Sequence, residues 1–73
     1  MKYEHRVNYD AYGTGNFTEI KKERITADIT EETAKRRMEY LAAIGATHYE
    51  TSKAHVYEKQ TDACHCYEYI FYK

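Results

Sequence analysis

The C-terminal run ACHCYEYIFYK, residues 63–73, constrains the fold most, because neither side of it is clearly polar. A strand with one face in water alternates apolar and polar residues. This run instead places cysteine, histidine or aromatic side chains on both of its faces. Both faces therefore have to be covered, and a chain of 73 residues has few elements with which to cover them.

Length and composition narrow the class of protein before any motif is considered. The 73 residues predict a single compact domain over residues 1–73, too small to enclose a large active site. The 11 basic and 12 acidic residues nearly balance, which argues against a general binder of nucleic-acid backbones. No apolar stretch follows Met1, so the sequence predicts neither a signal peptide nor a membrane span, and we expect a cytoplasmic protein.

Two extended stretches separated by GTGN predict a first β-hairpin. Residues 2–12 place tyrosine, histidine and valine at odd positions and mostly charged residues at even ones, as in a half-buried strand. In the second stretch, FTEIKKERITA, Ile20 and Ile25 would point to opposite faces unless a β-bulge lies between them. Its adjacent lysines, Lys21 and Lys22, are typical of an exposed edge strand.

One amphipathic helix is predicted over roughly residues 30–44. Asp28 or Thr30 can cap its first turn, and Gly45 favours a C-terminal cap. The predicted apolar face comprises Ala34, Met38, Leu41, Ala42 and Ile44, which recur at helical spacing. This stripe predicts that the helix packs on the sheet.

A second hairpin is predicted after the helix, with THYETSKAHVYEK paired to ACHCYEYIFYK around a two-residue turn. The register that pairs Lys59 with Asp62 also sets Lys53 opposite Glu68, a favourable cross-strand charge pair. The sequence therefore predicts an α+β fold of the order ββαββ, with a mainly antiparallel four-stranded sheet and one helix packed on one face.

The same register divides the last hairpin into two faces. The more continuously apolar face is assigned to the helix and comprises Ala54, Val56, Tyr67, Tyr69 and Phe71. The other face has nothing to cover it, and we expect it to bind a partner through Tyr49, Tyr57, Ile70, Tyr72, Lys53 and Glu68. A large aromatic patch left in water usually marks a binding site. A slip of the register by one residue would exchange the two faces.

His55, Cys64 and Cys66 fall together on the uncovered face and are candidate ligands for a zinc ion. Their C-x-C spacing on a flat strand differs from the C-x2-C turns of common structural zinc sites, and no fourth ligand is evident. We therefore interpret the cysteines as half-buried free thiols and predict no metal or other cofactor. An orienting residue, an oxyanion hole and a cleft are also unaccounted for, so the sequence predicts no enzyme.

These features favour a small non-enzymatic module that binds another protein, or a second copy of itself as a homodimer, through the uncovered face. In composition alone, with nine tyrosines and no proline, the chain resembles small accessory proteins of phages and mobile elements, which would imply an inhibitor or adaptor of a host protein. Two alternatives are a sheet that binds single-stranded RNA by stacking bases on tyrosines, and a small zinc-binding domain. The exposed helix face with Arg36, Arg37 and Tyr40 is the next candidate surface.

Overall fold

In the computed structural model of the chain, the described residues are 1–10 and 19–73, with side chains described for 1–10 and 25–73. The elements are β1 (Lys2–Tyr9), β2 (Glu19–Asp28), α1 (Glu31–Ala43), β3 (Thr47–Glu50), β4 (Ala54–Gln60) and β5 (His65–Tyr72). The turn predicted at GTGN lies outside the described residues. Over the described ranges the fold is α+β, with one helix and an antiparallel sheet, as the sequence predicts.

The sheet has five strands in the order β2-β1-β5-β4-β3, and every neighbouring pair is antiparallel. The prediction of four strands is wrong, because THYETSKAHVYEK folds as two strands instead of one. In the turn between β3 and β4, the Thr51 hydroxyl accepts hydrogen bonds from the backbone N–H groups of Lys53 and Ala54. Such local bonds compete with strand pairing, so β3 folds back as an edge strand.

The helix α1 begins and ends close to the predicted positions. Thr30 is its N-cap, and the Thr30 hydroxyl accepts a hydrogen bond from the Thr33 N–H at 3.1 Å. Gly45 follows the helix at a φ of 81°, a left-handed conformation that glycine adopts without strain. The helix has 13 residues, and no helix in the described ranges has the length and apolar character needed to cross a membrane.

The main core lies between α1 and one face of the sheet. Its buried side chains are Tyr3, Ala34, Leu41, Tyr57 and Phe71, with Ile29, Met38, Ala46 and Tyr69 packed against them. Among the predicted helix contacts, Ala34 and Leu41 are buried, whereas Ala42 is exposed and Ile44 is 38% exposed. Ile44 is the C-cap, beyond the last helical turn, so it does not continue the buried stripe.

The strands β1 and β2 pair as the first hairpin predicts, with Lys2 opposite Asp28. Their register shifts between Arg6 and Asn8, so an irregularity falls in β2 between Ile20 and Ile25. The shift is two residues, and Ile20 and Ile25 pair with residues on opposite faces of β1. The strand β2 lies at one edge of the sheet, as its adjacent lysines predict.

The strands β4 and β5 pair in a register different from the predicted one. Lys59 lies opposite Tyr67 and not opposite Asp62, and Glu68 lies opposite Glu58. The displacement is an odd number of residues, so it exchanges the faces of one strand relative to the other. The predicted faces are therefore wrong for β4, whereas on β5 Tyr69 and Phe71 pack beside the helix as predicted.

The register of β4 with β5 differs from the predicted one because the turn between these strands is longer than predicted. Its centre is Asp62, whose carboxylate accepts hydrogen bonds from the backbone N–H groups of Cys64 at 2.7 Å and His65 at 2.8 Å. These bonds satisfy backbone donors within the turn and hold residues 61–64 outside both strands. The Cys64 N–H, followed by the His65 ring, also lowers the pKa of Asp62, because both stabilise the charged carboxylate.

Candidate interaction surfaces

The sheet has one side that packs on α1 and an opposite side, which we call the helix-free face. Phe71 packs in the core beside the helix, so its neighbour Ile70 points the other way. From this pair the register assigns to the helix-free face Lys2, Glu4, Arg6 and Asn8 of β1, Tyr49 of β3, Ala54, Val56 and Glu58 of β4, and Cys66, Glu68, Ile70 and Tyr72 of β5. Four of the predicted binding residues, Tyr49, Ile70, Tyr72 and Glu68, therefore share this face.

The other two predicted binding residues, Tyr57 and Lys53, do not lie on the helix-free face. Tyr57 is 8% exposed and packs in the core beneath α1. Lys53 lies in the turn between β3 and β4, so its predicted pairing with Glu68 is wrong. Conversely, Ala54 and Val56, which the prediction assigns to the helix, lie on the helix-free face.

The helix-free face carries a narrow apolar band that is already closed to solvent. Ala54, Val56 and Ile70 are only 4–5% exposed, and Tyr72 packs against them. Among the described residues of this face, Tyr49 is the large apolar side chain that stands out, with 44% exposure. A partner would therefore find little apolar area left to bury here.

The polar groups beside this band bind one another. Glu4 is 4% exposed, and its Oε2 accepts hydrogen bonds from Arg6 Nε and from the Tyr72 hydroxyl, both at 3.0 Å. Asn8 Nδ2 donates to Glu68 Oε2 at 2.9 Å. A buried carboxylate needs such charge-assisted bonds to offset its lost hydration. Binding through this face would have to leave these bonds in place or break them.

One row of the helix-free face places two carboxylates side by side, with Arg6 of β1 on the other side of Glu68. Glu58 and Glu68 lie directly opposite each other, an arrangement that is unfavourable for like charges. The Tyr49 hydroxyl donates to Glu58 Oε1 at 3.3 Å. Burial raises the pKa of the neighbouring Cys66, and the two carboxylates raise it further. Cys66 is therefore poorly suited to act as a thiolate nucleophile or metal ligand at neutral pH.

The three candidate zinc ligands are not brought together. His55 lies on the helix side of β4, opposite Phe71, whereas Cys66 lies on the helix-free face and Cys64 in the turn before β5. The prediction that they share a face is wrong, because the register differs from the predicted one. Among the side chains of residues 1–10 and 25–73, no three histidine, cysteine, aspartate or glutamate residues are grouped as a metal site requires.

A second candidate surface lies at the boundary between α1 and the sheet. It is a pocket of about 100 Å³, which we call the aromatic groove, lined by Tyr3, Arg37, Tyr40, Leu41 and Tyr69. Tyr3 and Leu41 belong to the main core, whereas Tyr40 projects from the helix and is 64% exposed. The aromatic groove thus joins a floor of buried core side chains to an exposed aromatic rim.

Arg37 and Tyr3 form one wall of the aromatic groove. The Arg37 guanidinium lies over the Tyr3 ring, 4.8 Å from its centroid, in a cation–π arrangement. Burial raises the pKa of Tyr3, and the charge of Arg37 opposes that rise. Arg37 also donates a hydrogen bond to the Tyr3 hydroxyl, which opposes the rise as well. A guanidinium carries several N–H donors, so others remain for a partner.

Tyr69 forms another wall and continues into a row of aromatic rings along the sheet. The His5 ring centroid lies 4.7 Å from that of Tyr69 and 5.6 Å from that of Tyr67. His5 Nδ1 is buried and has no hydrogen-bond partner in the described structure. Burial raises the pKa of Tyr69, and the phenols of Tyr3, Tyr67 and Tyr40 raise it further, so its hydroxyl remains a donor at neutral pH.

Exposed apolar side chains concentrate on this side of the molecule. Tyr40 and Ile44 are 64% and 38% exposed at the helix, and Ile25 is 58% exposed on β2, where it pairs with His5. On the opposite side, Tyr49 is the comparable residue among those described. Among the described residues, the helix side of the molecule, which contains the aromatic groove, therefore exposes more large apolar side chains than the helix-free face does.

Sequence reasoning identified the aromatic groove only in part. The sequence predicts exposed positions on the helix for Arg37 and Tyr40, but it assigns Tyr3 and Tyr69 to buried strand faces. A usable signal was the helical spacing of Arg37, Tyr40 and Ile44, which forms a second stripe beside the buried one. The contribution of the strands required the tertiary structure.

No protein-family model matches the chain, and comparisons with curated proteins and with solved structures find no match either. Its function therefore has to be argued from the two surfaces themselves.

Proposed function

We propose that the protein is a small, non-enzymatic module that binds another protein through the aromatic groove. The observation that carries this proposal is the position of Tyr40, an exposed aromatic ring at the rim of a pocket whose floor belongs to the core. Because the floor is already packed in the core, the aromatic groove should need little rearrangement to receive a partner, which lowers the free-energy cost of binding.

The side chains of the aromatic groove are of the kinds that dominate protein interfaces. Tyrosine and arginine are enriched among the residues that carry most of the binding energy. Tyrosine also supplies a large contact area at a small cost in conformational entropy. The aromatic groove combines three tyrosines with Arg37, and the 64% exposure of Tyr40 leaves most of that ring for a partner to bury.

The lining of the aromatic groove supports binding over catalysis. It contains tyrosine, arginine and leucine side chains, without a nucleophile placed next to a base. Its volume of about 100 Å³ also suits one side chain of a partner, since sites for small molecules usually measure about 300–1,000 Å³. A module of this kind would act as an inhibitor or an adaptor by occupying a surface of its target.

The proposal keeps the function predicted from the sequence and moves it to another surface. On the helix-free face, Ile70 is 5% exposed and Tyr72 donates its hydroxyl to a buried carboxylate. Neither side chain is free to act as an anchor without disturbing the domain. Of the predicted anchors, Tyr49 alone is an exposed ring on that face among the described residues, and it therefore serves best as a control.

The test compares two exposed tyrosines on opposite sides of the molecule. Tyr40→Ala removes the rim of the aromatic groove, and Tyr49→Ala removes the exposed ring of the helix-free face. Because both residues are exposed, both variants should unfold at temperatures close to that of the wild type. Proteins captured from a cell lysate by each immobilised form are quantified by mass spectrometry. We expect a partner that wild type and Tyr49→Ala retain and Tyr40→Ala loses.

A photo-reactive phenylalanine analogue at position 40 should crosslink to that same partner, and the analogue at position 49 should not. Loss of the partner with Tyr49→Ala or Tyr72→Ala, but not with Tyr40→Ala, would return the function to the helix-free face. Capture of nucleic acid that is released between low and moderate salt would favour the RNA alternative. A solution mass of two chains that falls to one in Tyr40→Ala would identify the partner as a second copy.

A further inference from the structure

Arg37 differs from the other arginines whose side chains are described. Arg6 Nη2 lies 2.7 Å from a Glu4 oxygen, and Arg36 Nη2 lies 2.6 Å from a Glu32 oxygen. Arg37 lies instead over a tyrosine ring, and no carboxylate of the described residues is within ion-pair distance of it. Among the described residues, no carboxylate therefore neutralises its positive charge at the rim of the aromatic groove.

The rest of the aromatic groove adds hydrogen-bond donors and no negative charge. Its other lining residues are three tyrosines and a leucine. Lys59 Nζ donates to the carbonyl of Ile44 at 2.9 Å, which places a second cation at the end of the helix that carries Tyr40. The surface is thus complementary to a ligand that is apolar in one part and anionic in another.

The size of the pocket limits the apolar part of such a ligand to one side chain. Its volume is about 100 Å³, and its walls are tyrosine rings and Leu41. Aromatic and branched aliphatic side chains pack well against such walls, through offset or edge-to-face contacts in the aromatic case. A nucleotide or a drug-sized cofactor normally needs about 300 Å³ or more.

We propose, on the basis that the aromatic groove is the protein-binding site, that its ligand is a linear acidic segment of the partner protein. A large apolar side chain of the segment enters the pocket, where Tyr40 covers it. A nearby aspartate or glutamate of the segment binds Arg37. The guanidinium can donate two parallel hydrogen bonds to that carboxylate while its flat face remains on the Tyr3 ring.

The test selects peptides instead of whole proteins. A phage-displayed library of random dodecapeptides is panned at moderate salt on the full chain in three forms: wild type, Arg37→Glu and Lys35→Glu. Lys35 is the matched control. It is an exposed cation of the same helix, and because it lies two residues from Arg37 it does not share a helix face with Arg37. Both variants change the net charge by the same amount, so a general charge effect would appear in both.

We expect wild type and Lys35→Glu to enrich peptides that combine a large apolar residue with a nearby acidic one. Arg37→Glu should enrich peptides with a nearby basic residue instead. A synthetic peptide from the wild-type selection should bind Arg37→Glu about tenfold more weakly or worse, because one charge-assisted contact is lost and a repulsion is added. Replacing its acidic residue by lysine should restore binding to Arg37→Glu, as fluorescence anisotropy would show.

The remaining outcomes separate this inference from the proposed function. Apolar peptides without an acidic residue, whose enrichment is lost on Tyr40→Ala, would overturn the acidic ligand and keep the aromatic groove as the binding site. Acidic peptides that bind Arg37→Glu as well as wild type would also overturn the inference. No enrichment on any form would overturn both.

Discussion

The aromatic groove and the helix-free face both contain tyrosines, but they differ in whether their polar and apolar groups already have partners. On the helix-free face, the Glu4 carboxylate is bound by Arg6 and Tyr72, and the apolar band is closed. In the aromatic groove, Arg37 has no carboxylate partner among the described residues, and Tyr40 is 64% exposed. The contrast shows that the residue types of a face say little about binding until the bonds within the domain are known.

Substitutions at two neighbouring residues of β5 can compare how much the helix side and the helix-free face contribute to stability. Phe71 is fully buried on the helix side, and Ile70 is 5% exposed on the helix-free face. Phe71→Ala should lower the free energy of unfolding by about 3–5 kcal/mol, enough to unfold much of a small domain. Ile70→Ala should lower the free energy of unfolding by about 2 kcal/mol, because Ile70 packs in a smaller cluster. Urea unfolding followed by circular dichroism measures both values.

If Phe71→Ala does not fold, the milder substitutions Phe71→Leu and Ile70→Val should keep the same order, with Ile70→Val costing about 0.5–1.5 kcal/mol. A larger loss from the Ile70 substitution than from the Phe71 substitution would reverse the comparison. The main core would then lie on the helix-free face.

The bonds within the helix-free face can be tested through Glu4. Glu4→Gln keeps the shape of the side chain but removes the charge that Arg6 and Tyr72 bind, so it should lower the free energy of unfolding by about 1–3 kcal/mol. Glu32→Gln is the matched control, since it breaks an exposed pair with Arg36 and should change stability little. Equal losses from the two variants would mean that the Glu4 network is worth no more than a surface ion pair.

The smallest expected effect is on the reactivity of Cys66. Burial and the carboxylates of Glu58 and Glu68 raise its pKa. Alkylation by iodoacetamide should therefore reach half its maximal rate at a pH above about 8.5, the usual pKa of cysteine. In a Cys64→Ser background, Glu68→Gln should move this midpoint to lower pH and speed the reaction at pH 8. Glu39→Gln on the helix should leave it unchanged. An unaltered rate in Glu68→Gln would contradict the effect of the Glu68 carboxylate on the pKa of Cys66.

Features that depend on local spacing could be predicted from the sequence. Thr30 caps the helix, Ala34 and Leu41 lie in its buried stripe, and Gly45 ends it in the left-handed conformation. The alternation of residues 2–12 likewise predicts β1. Such patterns repeat with the period of a single element, so they can be recognised without knowing what the element packs against.

The register of the last hairpin could not be predicted, because it depends on turns that side chains create. Thr51 divides one expected strand into two, and Asp62 lengthens the next turn. Both act through hydrogen bonds to backbone N–H groups, which neither alternation nor residue propensity reveals. The odd shift that results moves Tyr57 and His55 to the helix side, away from the residues with which they were grouped.

The aromatic groove could be predicted from the sequence only in part. The exposed positions of Arg37 and Tyr40 on the predicted helix are enough to identify them as candidate binding residues. Tyr3 and Tyr69, however, come from strands at opposite ends of the sequence, and their position beside the helix depends on how α1 crosses the sheet. A surface shared by elements so far apart is not encoded in any one local pattern.

The central pairing of β1 with β5, in which Tyr3 lies opposite Phe71, bears on how the chain reaches this structure during synthesis. In the strand order, β5 joins the β2–β1 pair to the β4–β3 pair, because it pairs with β1 on one side and with β4 on the other. Contacts of such high contact order lose much chain entropy on closure and therefore form late. On a ribosome, each half can form its own hairpin contacts early, but the halves cannot join until residues 65–72 have emerged. A nascent chain stalled before β5 would expose two unpaired strand edges at once, which makes it a substrate for chaperones.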